Sequence, residues 1–219
     1  MRRTKGIYNT DSWVKGYLDQ TDWNVKENSN IDYSFSGLFL RMGGKVITNY
    51  VLDKVYPKHI SKAHRDGNIH IHDLPFGIVG YCAGWSLRQL LLEGFNGVPR
   101  RVESYPANHF DTALMQTVNF LGTMQNEWAG AMAINSLDTF LAPFVAKERL
   151  SYKKVKQDLQ KFIFNLNVTS RWGGQTLFTN ITFDLNTPKD LRKEPVTVSY
   201  THLRAHETSL HLVCRLLLE

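Results

Sequence analysis

The sequence predicts an α/β fold that is rich in helices. Long stretches carry apolar residues at spacings of three and four, the period of an amphipathic helix. Two shorter segments, 68–72 and 175–185, alternate apolar with polar side chains, as half-buried strands do. With 42% hydrophobic and 21% charged residues, the 219-residue chain has the composition of an ordinary globular protein.

Three helices are predicted in the first half of the chain, after a polar stretch, residues 1–30, that shows no clear period. They cover residues 36–56, about 57–65 and about 85–94. Pro57 ends the first helix, and the turn-forming pair Asp66-Gly67 ends the second.

Three amphipathic helices in succession are predicted downstream, over about 106–128, 131–148 and 151–168. Their order suggests a bundle, and the third carries a near-heptad stripe that is typical of a helix–helix interface, within or between subunits. This stripe consists of Val155, Leu159, Phe162, Ile163 and Leu166. The pair Gly173-Gly174 then breaks the pattern before the second strand. The polar face of that strand consists of Thr176, Asn180, Thr182 and Asp184.

The formal net charge of +6 comes with only a mild cluster of basic residues, in 147–161. These residues are not interleaved with aromatic ones, so no nucleic-acid surface is predicted. A solvated helix face is the simplest interpretation, and a polyphosphate ligand is the next. Neither a signal peptide nor an apolar run long enough to span a membrane is recognisable in the sequence, so no membrane partner is predicted.

Cys82 is the residue that most suggests chemistry. The chain has one other cysteine, Cys214, and the two form neither a disulfide framework nor a C-x-x-C metal pair, so a reducing cytoplasm is the predicted location. A lone cysteine flanked by glycines near a strand end suits thiol or thiyl chemistry. The alternative is a small buried hydrophobe, as free cysteines usually are.

Six sequence runs carry a family resemblance. In chain order they are Glu27-Asn28-Ser29-Asn30 followed by Tyr33-Ser34; His70-Ile71-His72-Asp73-Leu74; Tyr81-Cys82-Ala83-Gly84-Trp85; Gln125-Asn126-Glu127-Trp128-Ala129-Gly130-Ala131; Asp138-Thr139-Phe140-Leu141-Ala142-Pro143-Phe144-Val145; and Gly173-Gly174-Gln175-Thr176 with Phe178-Thr179-Asn180-Ile181-Thr182. Each run is weak alone, but together and in this order they resemble the anaerobic (class III) ribonucleoside-triphosphate reductases. The resemblance covers about residues 27–187, the amino-terminal part of the family's catalytic domain.

The resemblance implies a fold and a division of the chain. The implied fold is the amino-terminal half of a glycyl-radical-type ten-stranded α/β barrel. Residues 1–26 would be an amino-terminal extension and 27–194 a partial catalytic domain, with a helical effector and dimer section at about 106–168. Residues 195–219 instead resemble read-through of sequencing adapter and are predicted to be a non-native tail. A metal site in this tail, which contains His202, His206 and His211, is the alternative.

The implied reaction is the anaerobic reduction of ribonucleoside triphosphates to 2′-deoxyribonucleoside triphosphates. In this family a radical-SAM activating enzyme generates a glycyl radical. That radical oxidises one cysteine to a thiyl radical, which abstracts the 3′ hydrogen of the ribose. Cys82 matches a second cysteine, which supplies hydrogen from the opposite face of the ribose; formate or a thiol reductant provides the electrons. The radical glycine, the thiyl cysteine and a four-cysteine zinc site are expected beyond residue 194, so the chain is predicted to be an inactive fragment of a homodimeric enzyme.

The resemblance also gives weaker site assignments. The candidates for substrate binding are His70, His72, Asp73, Gly174, Gln175 and Asn180. The candidates for contact with dNTP or ATP effectors are Gln116 and Lys147, of which the lysine offers a point charge for phosphate. Each group has a structural alternative. For His70, His72 and Asp73 it is a hydrogen-bond network, for Gly174 and Gln175 a strand-entry turn, and for Gln116 and Lys147 a solvated surface position. No metal site is predicted, because the two histidines lack a clear third ligand.

Two other functions stay open from the residues. One is a different glycyl-radical enzyme, such as a pyruvate formate-lyase relative, in which adjacent paired cysteines would follow downstream. The other is a non-catalytic, nucleotide-binding helical dimer module, which would bind dATP or dGTP independently of Cys82.

Overall fold

The computed structural model describes residues 9–22, 33–96, 103–171, 175–192, 195–198 and 201–204. The α-helices are α1 (Thr10–Leu18), α2 (Phe35–Tyr50), α3 (Lys58–Arg65), α4 (Leu87–Glu93), α5 (Phe110–Met124), α6 (Leu137–Glu148) and α7 (Tyr152–Leu166). The strands are β1 (Ala83–Trp85), β2 (Met132–Ile134), β3 (Thr169–Arg171), β4 (Gln175–Thr176), β5 (Thr179–Ile181), β6 (Pro195–Val198) and β7 (Thr201–Arg204). The predicted helix-rich α/β class is confirmed.

The chain divides into two compact units. The first consists of Met1–Tyr81, Asn126–Gly130 and Thr169–Thr176. The second consists of Cys82–Gln125, Ala131–Val168 and Leu177–Glu219.

In the first unit, the predicted helix over 36–56 is confirmed as α2 followed by a π-helical turn, Val51–Val55, that stops at Pro57. Ser34 caps α2, because its side chain accepts a hydrogen bond from the Gly37 N–H. Helix α3 also matches its prediction and ends before Asp66. The sequence predicted no element for the segment that forms α1, since this helix is short and polar; Asn9 caps it.

The strand predicted over 68–72 is wrong, because this segment is an irregular loop. The N–H groups of Asn68 and Ile69 bond back to the Ala63 carbonyl at the end of α3. The Ile71 N–H donates to Nδ1 of His64 at 3.2 Å. Ile71 packs on the Val51–Leu52–Leu74 cluster while Ile69 is exposed, so the alternation does not correspond to one buried face.

The second unit is built on a three-stranded parallel sheet in the order β1-β2-β5. The register pairs Ala83 with Met132 and Met132 with Thr179. Helices α5, α6 and α7 bury one apolar side each. The fully buried side chains include Phe110, Leu114, Leu121, Leu137, Leu141, Phe144, Val155 and Phe162.

One helix prediction for this unit needs correction, and another is confirmed. The helix predicted over 131–148 begins at Leu137, since residues 132–134 form the central strand and Ser136 takes a left-handed backbone, φ 52°, that interrupts any helix. The near-heptad stripe of α7 is buried except for Ile163, which is 45% exposed. The helix predicted over 151–168 is confirmed as α7, although Ile163 does not share its buried side.

The strand predicted over 175–185 is two strands in different sheets. β4 pairs antiparallel with β3 in the first unit, whereas β5 pairs parallel with β2 in the second. The break falls at Leu177 and Phe178, where the Phe178 N–H donates to the side chain of Gln125 rather than to a neighbouring strand. The continuous polar face predicted for this segment therefore does not form.

A third sheet is the hairpin of β6 and β7. It lies in the segment predicted to be non-native. The pair Gly173-Gly174 and the Glu27-Asn28-Ser29-Asn30 run lie outside the described residues.

Candidate active site

Cys82 lies at the entrance of β1 on the open face of the parallel sheet. Side-chain exposure alternates here: Cys82, Gly84, Phe178 and Asn180 are exposed, whereas Met132 is fully buried. Because side chains of a strand point alternately to its two faces, the exposed positions share one face and the buried ones the other. The buried alternative for Cys82 is therefore wrong in this structure.

The open face has two rows of residues across the strands. The register places Gly84, Ala133 and Asn180 in one row. One residue earlier on each strand, the row is Cys82, Ala131 and Phe178. Cys82 and Asn180, both predicted as site residues, thus share a face over a floor of small residues.

The opposite face anchors the sheet to the helical core. Trp85 donates its indole N–H to the sulfur of Met132 at 3.2 Å, and its ring lies edge-on to Phe120 of α5, with centroids 5.3 Å apart. Ile134 is 1% exposed on the same side. Since this face is filled by protein, a ligand of this sheet has the Cys82 face available to it.

A buried carboxylate holds the end of β5. Asp138, in the first turn of α6, is fully buried and accepts hydrogen bonds from the N–H groups of Asp184, at 3.0 and 3.1 Å, and Leu185, at 3.1 Å. Thr182 accepts a further bond from the Ser136 N–H at 2.9 Å. Thr182 and Asp184 therefore bond to the start of α6, which fixes where β5 and Asn180 lie.

His70, His72 and Asp73 lie together on the loop of the first unit. The rings of His64, His70 and His72 follow one another with successive centroids 5.9 Å apart. Asp73 has a left-handed backbone, φ 52°; its carboxylate lies 3.4 Å from Nε2 of His72 and accepts a 2.7 Å hydrogen bond from the Tyr81 hydroxyl. The sequence did not single out Tyr81, although it lies in the same run as Cys82.

The remaining predicted site residues differ in burial. Gln175 is buried in β4, and Gly174 lies outside the described residues. Gln116 is 6% exposed and donates its amide hydrogens to Ser104 Oγ at 2.7 Å and the Tyr105 carbonyl at 2.8 Å, while its buried Oε1 has no hydrogen-bond partner among the described residues. Lys147 is exposed in the last turn of α6.

The basic cluster in 147–161 is partly neutralised. Asp158, 1% exposed, pairs with Lys154 at 2.7 Å and with Lys161 at 3.3 Å. The hydrogen bond to Asp158 raises the pKa of Lys154, since it stabilises the charged amine. These pairs favour the interpretation as a solvated helix face over a polyphosphate site.

Among the described residues, no group of three or more histidine, cysteine, aspartate or glutamate side chains is placed to hold a metal ion. No helix in the part of the chain that the structure describes is long and apolar enough to cross a membrane.

Solved structures share this fold. The anaerobic ribonucleotide reductase from Thermotoga maritima, solved with MES in the active site, matches 94% of this chain and 37% of its own length, with a TM-score of 0.69 and 18% identity. The same enzyme in complex with dATP and CTP matches 83% of this chain and 36% of its own length, with a TM-score of 0.61 and 16% identity. The fold is thus that of part of an anaerobic ribonucleotide reductase.

Sequence comparison identifies the family. The family model for anaerobic ribonucleoside-triphosphate reductase matches residues 27–218. The enzyme of this name from Escherichia coli (strain K12) is 25% identical over 217 residues, covering 87% of this chain and 30% of that protein. The enzyme of this name from enterobacteria phage T4 is 22% identical over 199 residues, covering 80% of this chain and 33% of that protein. The chain belongs to the anaerobic ribonucleoside-triphosphate reductase family.

The chain spans about a third of the length of these relatives, from 30% to 33%. The family match also runs to residue 218, across the segment predicted to be a non-native tail. The match lends that prediction no support, and it stays a prediction.

Proposed function

We propose that the protein to which these residues belong reduces ribonucleoside triphosphates to 2′-deoxyribonucleoside triphosphates by glycyl and thiyl radical chemistry. Membership of the family carries this proposal, and the exposed position of Cys82 on the open sheet face supports it. The match also favours the reductase over a pyruvate formate-lyase relative.

Cys82 would act as the reducing thiol. Its S–H bond is weak enough to give a hydrogen atom to a carbon radical at C2′ of the ribose, provided that the sugar is held close. The floor of Gly84, Ala131 and Ala133 leaves room for a sugar beside the sulfur, and Asn180 offers an amide on the same face. His70, His72 and Asp73 are proposed to contact the substrate or carry protons.

Nucleotide ligands are proposed on the same grounds. The Thermotoga maritima relative was solved in complex with dATP and CTP. For this protein we propose ribonucleoside triphosphates as substrates and dNTP or ATP as effectors, with Lys147 as an effector contact. Gln116 would act there through Ser104 and Tyr105, which its amide binds. The radical-SAM activating enzyme, the homodimer, the zinc site and formate or a thiol reductant are further parts of the proposal.

The test is an anaerobic assay of the natural full-length enzyme with its activating enzyme, following conversion of CTP to dCTP with formate and with a thiol reductant. Substitution Cys82→Ala should lower turnover by at least about a thousandfold, the scale expected when a group central to the chemistry is removed. Substitution of the exposed Phe39 of α2 by alanine is the control and should leave turnover unchanged, since Phe39 lies outside the proposed effector and dimer section. Wild-type turnover in Cys82→Ala would contradict the proposed role.

A further inference from the structure

Phe178 is an exposed aromatic residue in the same row of the sheet as Cys82. Its side chain is 56% exposed, and the row between the two consists of Ala131 alone. The sequence assigned it no role. Exposed aromatic rings beside a small-residue floor are suited to stacking on a flat ligand.

The backbone holds Phe178 firmly in this place. Its N–H donates to Oε1 of the fully buried Gln125 at 3.2 Å, and its carbonyl accepts from the Met132 N–H at 2.9 Å. Two bonds to the sheet and its support fix the main chain, so the point from which the ring projects is set before a ligand binds. A preorganised backbone lowers the conformational entropy cost of binding.

The spacing suits a nucleoside. Neighbouring strands lie about 4.8 Å apart, so Phe178, one residue before β5, and Cys82, one residue before β1, are about 10 Å apart across the sheet. Of the described residues, the ones that form this face of the sheet between and beside them are Gly84, Ala131 and Ala133, which have small side chains or none. A base against Phe178 would therefore place its attached sugar on this floor, on the side of the thiol.

We infer that Phe178 is the base-stacking residue of the nucleotide site at Cys82. This inference rests on the proposed function and deepens it. Asn180, two residues along β5 on the same face, lies within reach of the edge of a stacked base. Because every base has a π face, stacking on Phe178 accepts any of the four bases, and hydrogen bonding to Asn180 can only bias the choice.

The test uses the 219-residue chain carrying Cys214→Ser, so that Cys82 is the one remaining thiol. The rate of Cys82 alkylation is measured against the concentration of ATP, CTP or inorganic triphosphate, which gives an apparent Kd for protection. Phe178→Ala should raise the Kd for ATP and CTP by roughly 5- to 150-fold, the range found for base–aromatic stacking. Phe178→Tyr, which keeps a ring, should stay near the parent, and the Kd for inorganic triphosphate should not change.

Phe39→Ala is the matched control, since Phe39 is 65% exposed on α2 of the first unit, outside the proposed effector and dimer section. Equal protection in Phe178→Ala and Phe39→Ala would overturn the inference and leave the proposed function standing. Absence of nucleotide protection in the parent chain would also overturn the inference, whereas the proposed function is tested separately by the CTP assay of the natural full-length enzyme. Thermal unfolding of each variant checks that the exposed substitution leaves the fold intact.

Discussion

At the scale of single residues, the run around Cys82 depends on two glycines that do different things. A Cβ at Gly80 would lie 2.6 Å from Cε3 of Trp128, whose backbone pairs with Gly80 in a parallel bridge. A Cβ at Gly84 would meet no atom of the described residues within 4 Å. Gly80 thus serves packing, and Gly84 keeps the floor beside the thiol low.

Gly80→Ala should lower the free energy of unfolding by about 1–3 kcal/mol, the usual cost of overpacking. Urea unfolding followed by circular dichroism measures the change. The Trp128→Leu background should recover part of the loss, and Gly84→Ala should stay within about 0.5 kcal/mol of wild type. Equal losses at both glycines would show that the clash with Trp128 does not determine the cost.

Asp138 is the second residue whose role is set by burial. Asp138→Ala leaves the N–H groups of Asp184 and Leu185 without their acceptor, so stability should fall by about 2–4 kcal/mol. Asp111→Ala is a matched control, since Asp111 also lies in the first turn of a helix but is exposed. Chemical unfolding of both variants compares them, and a loss no larger than that of Asp111→Ala would refute the role of Asp138.

At the scale of elements, α1 and α2 are joined by hydrogen bonds and charges. The Tyr17 hydroxyl donates to the Ser34 carbonyl at 2.9 Å, and Asp22, just after α1, pairs with Arg41 at 2.8 Å and Lys45 at 3.1 Å. Burial of Asp22 opposes ionisation, but the hydrogen bonds and charges of Arg41 and Lys45 outweigh it, so the pKa of Asp22 is lowered.

A lowered folded pKa fixes the direction of the pH dependence. The contribution of Asp22 to stability is complete above its unfolded pKa of about 3.9 and is lost as pH falls through the lower folded pKa. Asp22→Asn should therefore be less stable than wild type at pH 7 and lose less stability between pH 5 and pH 2. Denaturant titrations across that pH range measure the free energy of unfolding. Arg41→Gln should also be less stable than wild type at pH 7 and lose less stability between pH 5 and pH 2. An acid response identical to wild type would contradict it.

The local sequence pattern predicted most helices correctly but failed for the two segments predicted as strands. α2, α3 and α7 were predictable because their apolar period and end signals are local properties of the chain. The segments 68–72 and 175–185 were not, because alternation does not say where backbone hydrogen bonds go. His64 and Ala63 bind the first segment, and Gln125 interrupts the second.

At the scale of the whole molecule, the sequence of 219 residues contains two cysteines, of which Cys82 faces the open side of the sheet. The proposed reaction needs a second active-site cysteine and a radical glycine, both expected outside residues 1–194. We therefore expect the purified chain, incubated anaerobically with the activating enzyme, formate and CTP, to form no dCTP. Measurable turnover would contradict this prediction, and the natural full-length enzyme is the positive control.

Six ordered motifs in the sequence predicted the family, and local periodicity predicted the positions of most helices. The exposure of Cys82, and the face that it shares with Phe178 and Asn180 nearly a hundred residues away, became visible in the folded chain. They could not be predicted because strand pairing and register arise from long-range backbone hydrogen bonds. The period of a strand shows which side chains share a face of that strand, but not which other strand lies beside it.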